Sequence, residues 1–507
     1  MISVSLASEE ESKPSEIDLD NSLAHGIAWT GGVKWVGQIF SWACTLLVAR
    51  LLAPADYGIV GMATLFLGFV AIINELGLGL AIMKHRDLTE DQIAQINAVA
   101  LILGSLSCGI SAVAAIPVSM FFGLPQLRWV VLLMGISFVI SAFRTVPSSL
   151  LAKDLNFRKL ALIEGIQTVA QSLTIVVLAL LGYGYWALVI GALFGNIVSV
   201  SMTMYARFHR FALPQRRSLD EVLTFSWHLL VSSVSWYVQS NSDFLVAGRV
   251  LGQAALGAYT IGWTVASVPI DKITSVVSRV TFPVFSARQH DPARLRRYLL
   301  MLTEFLGVII LGVSIGMALV AEEFVLIFLG EKWIDAVAPL RLLAVLTVFR
   351  TISPLVAQLL NVLGESQFSM RLGLIGFILP LFFYIGSYWG ILGITAAWFV
   401  VYPVTTVPAY RRVFKKIGLS SWEYYKALWP GLSACFLMTI AVLVSKRIMP
   451  EGWHLGLRFG IEISIGGAVY CLAIFLLHRE RAKALVQFIK GMKGTDLDPK
   501  NDVHVSS

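Results

Sequence analysis

Apolar residues run along this chain in stretches of about twenty, from Ala28 to His478, separated by short polar connections. A helix needs roughly 20 apolar residues to cross about 30 Å of hydrocarbon, so the pattern predicts about fourteen membrane-spanning helices. They fall at 28 to 50, 57 to 83, 93 to 122, 129 to 152, 159 to 181, 185 to 206, 222 to 248, 254 to 281, 299 to 321, 336 to 363, 371 to 389, 391 to 410, 427 to 445 and 457 to 478. Only helices and closed barrels satisfy every backbone polar group in lipid, and stretches this long and apolar predict an all-α integral membrane protein.

The connections set the orientation. The chain carries 39 Lys and Arg against 31 Asp and Glu, a formal net charge of +8. With the N-terminus inside, the basic residues concentrate in the inner connections: Lys153, Arg158 and Lys159; Arg207, Arg210, Arg216 and Arg217; Arg288, Arg294, Arg296 and Arg297; Arg411, Arg412, Lys415, Lys416 and Lys426. That satisfies the positive-inside rule and predicts a multi-pass protein of a bacterial inner (cytoplasmic) membrane with both termini cytoplasmic. The outer connection between helices 13 and 14 runs against the trend, with Lys446, Arg447 and Arg458. Topology and anionic lipid headgroups account for the positive charge, so no nucleic-acid partner is expected. Residues 1 to 27 are polar and acidic and lack the basic and apolar regions of a cleaved signal; they read as a disordered cytoplasmic tail, as does 479 to 507. Cys44, Cys108, Cys435 and Cys471 all lie in apolar spans without a CxxC pair, which reads as packing, with no metal or cofactor expected.

An internal repeat organises the spans. LLVARLLAPADYGIVG (46 to 61) aligns with LVAGRVLGQAALGAYT (245 to 260) at an offset of 199, placing Arg50 on Arg249, Leu52 on Leu251, Ala55 on Ala254 and Gly58 on Gly257. Six intervening helices keep both copies in one orientation. The repeat therefore predicts a pseudo-two-fold axis along the membrane normal relating two six-helix lobes, 28 to 215 and 216 to 414, with a substrate site at their interface near the midplane. Helices 13 and 14, within 415 to 478, are left to pack outside the lobes.

The segments ARLLAPADYG (49 to 58), ELGLGLAIMKHRDLT (75 to 89), VPSSLLAKDLNFRKLALIE (146 to 164), SDFLVAGRVLGQAALGAY (242 to 259) and RVTFPVFSARQ (279 to 289) together resemble the Wzx-type polysaccharide flippases of the multidrug/oligosaccharidyl-lipid/polysaccharide superfamily. The resemblance runs from about Ala28 to Phe414 and weakens over the last two spans. It implies movement of a polyprenyl-diphosphate-linked oligosaccharide from the cytoplasmic to the outer leaflet by alternating access, for exopolysaccharide or O-antigen synthesis, with membrane lipids and polysaccharide polymerase and export machinery as partners. The glycan stays open.

Charges inside spans mark candidate chemistry, because each costs on the order of 2.5 to 3.5 kcal/mol at a helix centre and must face protein or water. Thr30, Lys34, Gln38, Ser41 and Thr45 form one polar stripe on span 1, matched on span 7 by Ser233, Tyr237 and Ser240 with Asp243 one turn on; both stripes are expected to face a cavity between the lobes, the alternative being helix-to-helix hydrogen bonding within a lobe. Arg350 lies halfway along span 10, too deep to snorkel, and its planar fork suits a diphosphate; the alternative is a structural pair with a neighbouring carboxylate. Asp271 and Lys272 are adjacent on span 8, and Arg279 lies nearer its cytoplasmic end, where it meets either the entering diphosphate or lipid phosphate. Arg144 and Glu164, on sequential antiparallel spans, read as a structural ion pair. Glu75 is either a cavity carboxylate or a partner for Lys34 or Arg50. Trp35, Trp42, Trp236 and Tyr237 are candidate sugar platforms, as is Trp263, although most of the 14 Trp suit the interface belt or packing.

Other functions fit less well. A polymerase or glycosyltransferase needs room for an acceptor and catalytic carboxylates, yet the longest outer loop, about 322 to 335, is short. No Walker A or other nucleotide loop is evident. A cation-coupled drug exporter would use Asp243, Glu75 or Asp271 as its ion site, but the several cations among the candidates favour an anionic substrate. A peptidoglycan lipid-precursor flippase is the nearest alternative.

Overall fold

The computed structural model describes residues 37–481 apart from 39, 76–77, 79–81, 83–87, 155, 215–233, 235 and 451. No strand occurs among the described residues. The helices are α1 (Phe40–Leu51), α2 (Pro54–Glu75), α3 (Glu90–Phe122), α4 (Leu127–Lys153), α5 (Phe157–Leu180) and α6 (Tyr185–Ala206). There follow α7 (236–246, closed by a π-helical turn, Ala247–Leu251), α8 (Gly252–Ala287), α9 (Pro292–Leu319) and α10 (Val337–Val362). The last are α11, which a 3-10 turn (Gly376–Ile378) breaks into Ser366–Ile375 and Leu379–Ser387, then α12 (Gly390–Ile417), α13 (Ser421–Ile448) and α14 (Leu455–Leu477). Among the described residues eleven stretches are long and apolar enough to cross a membrane, one of them running from Trp236 to Ser267 through the turn at Gly252. The chain is a multi-pass membrane protein.

Hydropathy locates the centres of these helices and understates their ends. α9 begins at Pro292, seven residues ahead of the apolar run, because the Asp291 side chain accepts a hydrogen bond from the Arg294 amide at 3.1 Å and Pro292 needs no amide partner at that position. α13 begins at Ser421 behind a reciprocal cap between Ser420 and Glu423. α7 and α8 meet at Gly252, whose φ of +85° a side chain would strain.

Two compact units divide the chain. The first holds the described residues to Leu51, then Phe66–Met120 and the stretch from Leu124 to 214; the second holds Leu52–Leu65, Phe121–Gly123 and the described residues from 234 onward. Within the first, small residues let helices close on one another: Gly104 of α3 faces the Phe138 backbone and Ala142 of α4, and Gly191 and Gly195 of α6 face Ile175 and Gln171 of α5. Lipid is as apolar as leucine, so close packing, more than burial, holds such pairs together.

Within the second unit the repeat becomes geometry. A Cβ built on Gly58 would strike the Gln253 carbonyl, and a Cβ built on Gly257 would strike the Pro54 carbonyl. Pro54 and Gln253, like Gly58 and Gly257, stand 199 residues apart, so the starts of α2 and α8 cross about a local two-fold with each backbone lying on the other. The crossing is capped by Tyr57, whose ring meets Trp333 edge-on at 5.4 Å. α13 packs along α9 and α14 along α13: Tyr424, Cys435, Met438 and Val442 are buried in one cluster with Leu299, Leu306 and Ile310, and the Tyr470 hydroxyl donates to the Val308 carbonyl.

Candidate functional site

Four helices of the second unit converge on a polar centre inside an aromatic shell. Asp243 of α7 is fully buried. Its Oδ2 accepts from the Tyr259 hydroxyl of α8 at 2.5 Å and from the Trp398 indole nitrogen of α12 at 3.0 Å, and that nitrogen also lies 3.1 Å from the Tyr259 oxygen. Its Oδ1 meets no donor in good geometry among the described residues. Phe244 packs edge-on against Tyr259 at 5.0 Å and Trp263 at 5.6 Å, while Phe383 closes on Trp398 at 5.0 Å. A buried carboxylate without hydrogen bonds would cost several kcal/mol; here a phenol and an indole hold one oxygen, and the backbone N–H groups of Asp243 and Phe244 also face the carboxylate.

Arg350 of α10 joins this shell from another side. Its guanidinium carbon stands 4.1 Å over the Trp263 ring, and its Nη1 donates to the Ser267 hydroxyl at 3.3 Å. Stacking on Trp and one hydrogen bond fix the plane of the fork. Among the described residues Arg350 forms no ion pair, so its charge is steadied by an aromatic face and its remaining N–H groups suit a bidentate anion. Asp243 and Arg350 therefore share one aromatic cluster, through Tyr259 and Trp263, without pairing directly.

The other candidates are more scattered. Ser240 and Tyr237 are half-buried on α7, and the Tyr237 hydroxyl donates to the Leu65 carbonyl at 2.7 Å; Trp236 is exposed. Gln38, Ser41 and Trp42 are half-buried, and Thr45 donates to the Ser41 carbonyl at 2.8 Å. Arg144 donates to the Ser199 hydroxyl at 2.8 Å and the Gln167 side chain at 3.3 Å, both within the first unit; its pairing with Glu164 stays an expectation. Lys34, Trp35 and Ser233 lie outside the described residues, and so do the side chains of Glu75, Asp271, Lys272 and Arg279, whose backbones are helical.

Sequence reasoning found Asp243 and Arg350 because they are charges in apolar spans. It missed Tyr259, Trp398 and Ser267. Tyr259 closes the segment that begins just before Asp243, sixteen residues earlier, and that flanking was the signal available. Trp398 carried none, since a tryptophan in a span reads as packing.

One of the basic residues that run against the predicted orientation is paired. Lys446, at the end of α13, lies 2.7 Å from Glu323 and 3.4 Å from Glu462 of α14, both carboxylates being buried.

Residues 47–338 match the model of a family described as "Polysaccharide biosynthesis protein". Among curated relatives, an uncharacterized membrane protein in the cps region of Klebsiella pneumoniae is 25% identical over 443 residues, 85% of this chain and 90% of that one. The lipopolysaccharide biosynthesis protein WzxC of Escherichia coli (strain K12) is 24% identical over 76% of this chain and 79% of its own. The succinoglycan biosynthesis transport protein ExoT of Rhizobium meliloti (strain 1021) is 28% identical over 59% and 60%. Of solved structures, the lipid II flippase MurJ in an inward closed conformation superposes with a TM-score of 0.69 at 14% identity over 88% of this chain and 98% of that one. An inward-facing MATE multidrug transporter gives 0.59 at 18% identity, covering 75% of this chain and 96% of its own. These likenesses describe a shared fold.

Proposed function

Since the chain belongs to the polysaccharide biosynthesis protein family, we propose that it is a flippase carrying polyprenyl-diphosphate-linked oligosaccharide from the cytoplasmic to the outer leaflet of a bacterial inner membrane, by alternating access. It is a transporter, without a bond-making step of its own. The names of its relatives, which include a transport protein for succinoglycan, and a fold shared with a lipid II flippase support this reading. The observation that carries the chemistry is Arg350, a half-buried guanidinium in mid-span, stacked on Trp263 and outside the ion pairs of the described residues.

In this reading Arg350 receives the diphosphate. Its fork donates to two phosphate oxygens at once, a geometry that a lysine ammonium does not reproduce. Lys34, Lys272 and Arg279 are further cations for the same anion, and Trp35, Trp42, Trp236 and Tyr237 are surfaces for the sugars. Asp243, buried and held by neutral donors, is the carboxylate that takes up a proton or a sodium ion to drive the cycle; Gln38, Ser41, Glu75, Ser240 and Asp271 are further polar candidates. The polyprenyl tail stays in lipid throughout, and the product passes to polymerase and export machinery.

The test is leaflet accessibility of a lipid-linked oligosaccharide in proteoliposomes, read with an impermeant glycan-cleaving probe. Exposure that requires wild-type protein and is lost in both Arg350→Ala and Arg350→Lys supports the flippase and its diphosphate site. Exposure no greater than in empty vesicles, with verified cognate lipid and folded protein, overturns the reading in favour of drug export. The shared fold with lipid II flippase gives one competitor a direct trial: growth of a strain depleted of its own precursor flippase, rescued by this chain, would assign the peptidoglycan precursor instead.

A further inference from the structure

Helices α5 and α6 form an antiparallel pair whose two ends pack differently. Midway, Gly191 and Gly195 bring the backbones together against Ile175 and Gln171. Toward Lys159 and Ala206 the helices leave a groove of about 370 Å3 between them. Leu162, Ile163, Met202 and Ala206 line it, with Lys159 and Tyr205 at its rim. Tyr205 is 96% exposed, which for a phenol at a helix end is the habit of the membrane interface. Lys159 is exposed and forms none of the ion pairs among the described residues, whereas nearby Arg207 is engaged with Asp154 at 3.6 Å.

From this juxtaposition we infer that the groove is a site for an anionic phospholipid, one acyl chain lying between α5 and α6 and the phosphate meeting Lys159 and the Tyr205 hydroxyl. Charge complementarity selects the occupant. The groove opens at the end where Lys153, Arg158 and Lys159 lie beside the Arg207–Asp154 and Arg210–Asp91 pairs, an excess of positive charge that attracts a lipid of net negative charge more than a zwitterionic one. Its lining, apolar apart from Ser201 and the rim residues, takes a hydrocarbon chain.

The experiment uses the full-length protein in bilayers doped with phosphatidylglycerol bearing a photoreactive group in mid-chain, with the matching phosphatidylcholine in parallel. Crosslinks are then mapped to peptides. The anionic probe is expected to label the segments 159–163 and 202–206. Lys159→Ala should reduce that labelling roughly fivefold, the weight of one basic residue at an anionic surface, and Lys159→Arg should restore it. Leu162→Trp, which fills the groove, should abolish it, while Lys415→Ala, a basic residue outside the groove, should leave it unchanged. Equal labelling by phosphatidylcholine, labelling untouched by Lys159→Ala and Leu162→Trp, or no label in these two segments would each overturn the proposal.

Discussion

Asp243 and Glu462 are the carboxylates of the second unit with no exposure to solvent among the described residues, and they are accommodated in different ways. Glu462 sits 3.4 Å from Lys446, which Glu323 holds from the other side at 2.7 Å. Asp243 has a phenol and an indole as donors and forms no ion pair among the described residues. An ammonium shared by two carboxylates holds the three groups together, since removing its charge leaves both carboxylates uncompensated. Neutral donors impose no such lock, so a carboxyl held by them can exchange a proton or a cation without stranding a partner. The first arrangement fastens α14 and α13 to the segment around Glu323; the second has the makings of a working site.

Removing the fastener should have the largest effect. Lys446→Ala leaves Glu323 and Glu462 facing each other without their cation, and breaking a buried pair in this way costs about 3–5 kcal/mol. Thermal unfolding in detergent should show that loss, while transport per folded molecule persists. A smaller loss, about 1.5–3 kcal/mol, is expected for Tyr259→Phe, which removes the 2.5 Å hydrogen bond from a charged acceptor. Combined with Asp243→Asn the two changes should be non-additive, and additivity would break the view that they form one unit.

Asp243→Asn alone should cost less than about 1 kcal/mol, because the amide oxygen still accepts from Tyr259 and Trp398. Its signature is functional: transport should lose its response to an imposed proton or sodium gradient. An unchanged response would return Asp243 to the structural class of Glu462.

The smallest effect concerns a carboxylate outside the spans. Glu365, between α10 and α11, is held below the ordinary carboxylate range by its hydrogen bonds to Lys416 and Arg412. A depressed group stabilises the fold fully above its unfolded value and loses that contribution as pH falls through the depressed one. Glu365→Gln should therefore remove a slight acid-induced loss of melting temperature and leave neutral-pH stability lower by a small amount.

The parts that periodicity and charge arithmetic reached were those set by single residues in a single environment. Asp243 and Arg350 stood out because a charge in an apolar run needs an explanation wherever the helix lies. Lys446 stood out as a basic residue in a connection that the charge pattern puts outside, but its partner Glu323 is 123 residues away, and nothing local joins them. The repeat placed Gly58 on Gly257; that both positions must be glycine follows only from two backbones lying against the carbonyls of Pro54 and Gln253. Helix ends were misjudged where polar turns such as those before Leu299 and Ala427 continue the backbone hydrogen bonds beyond the apolar stretch.

Sequence alone determined that this chain lives in a membrane, that it is helical, that it carries a repeat in one orientation, and which family it resembles. The bilayer imposes those properties residue by residue through the cost of unsatisfied backbone and unpaired charge. Tertiary structure decided which charges became fastenings and which stayed open, because that choice rests on distances between side chains of helices far apart in sequence. Asp243 is held by Tyr259 and Trp398 because α7, α8 and α12 cross there, and no reading of one helix at a time contains that crossing.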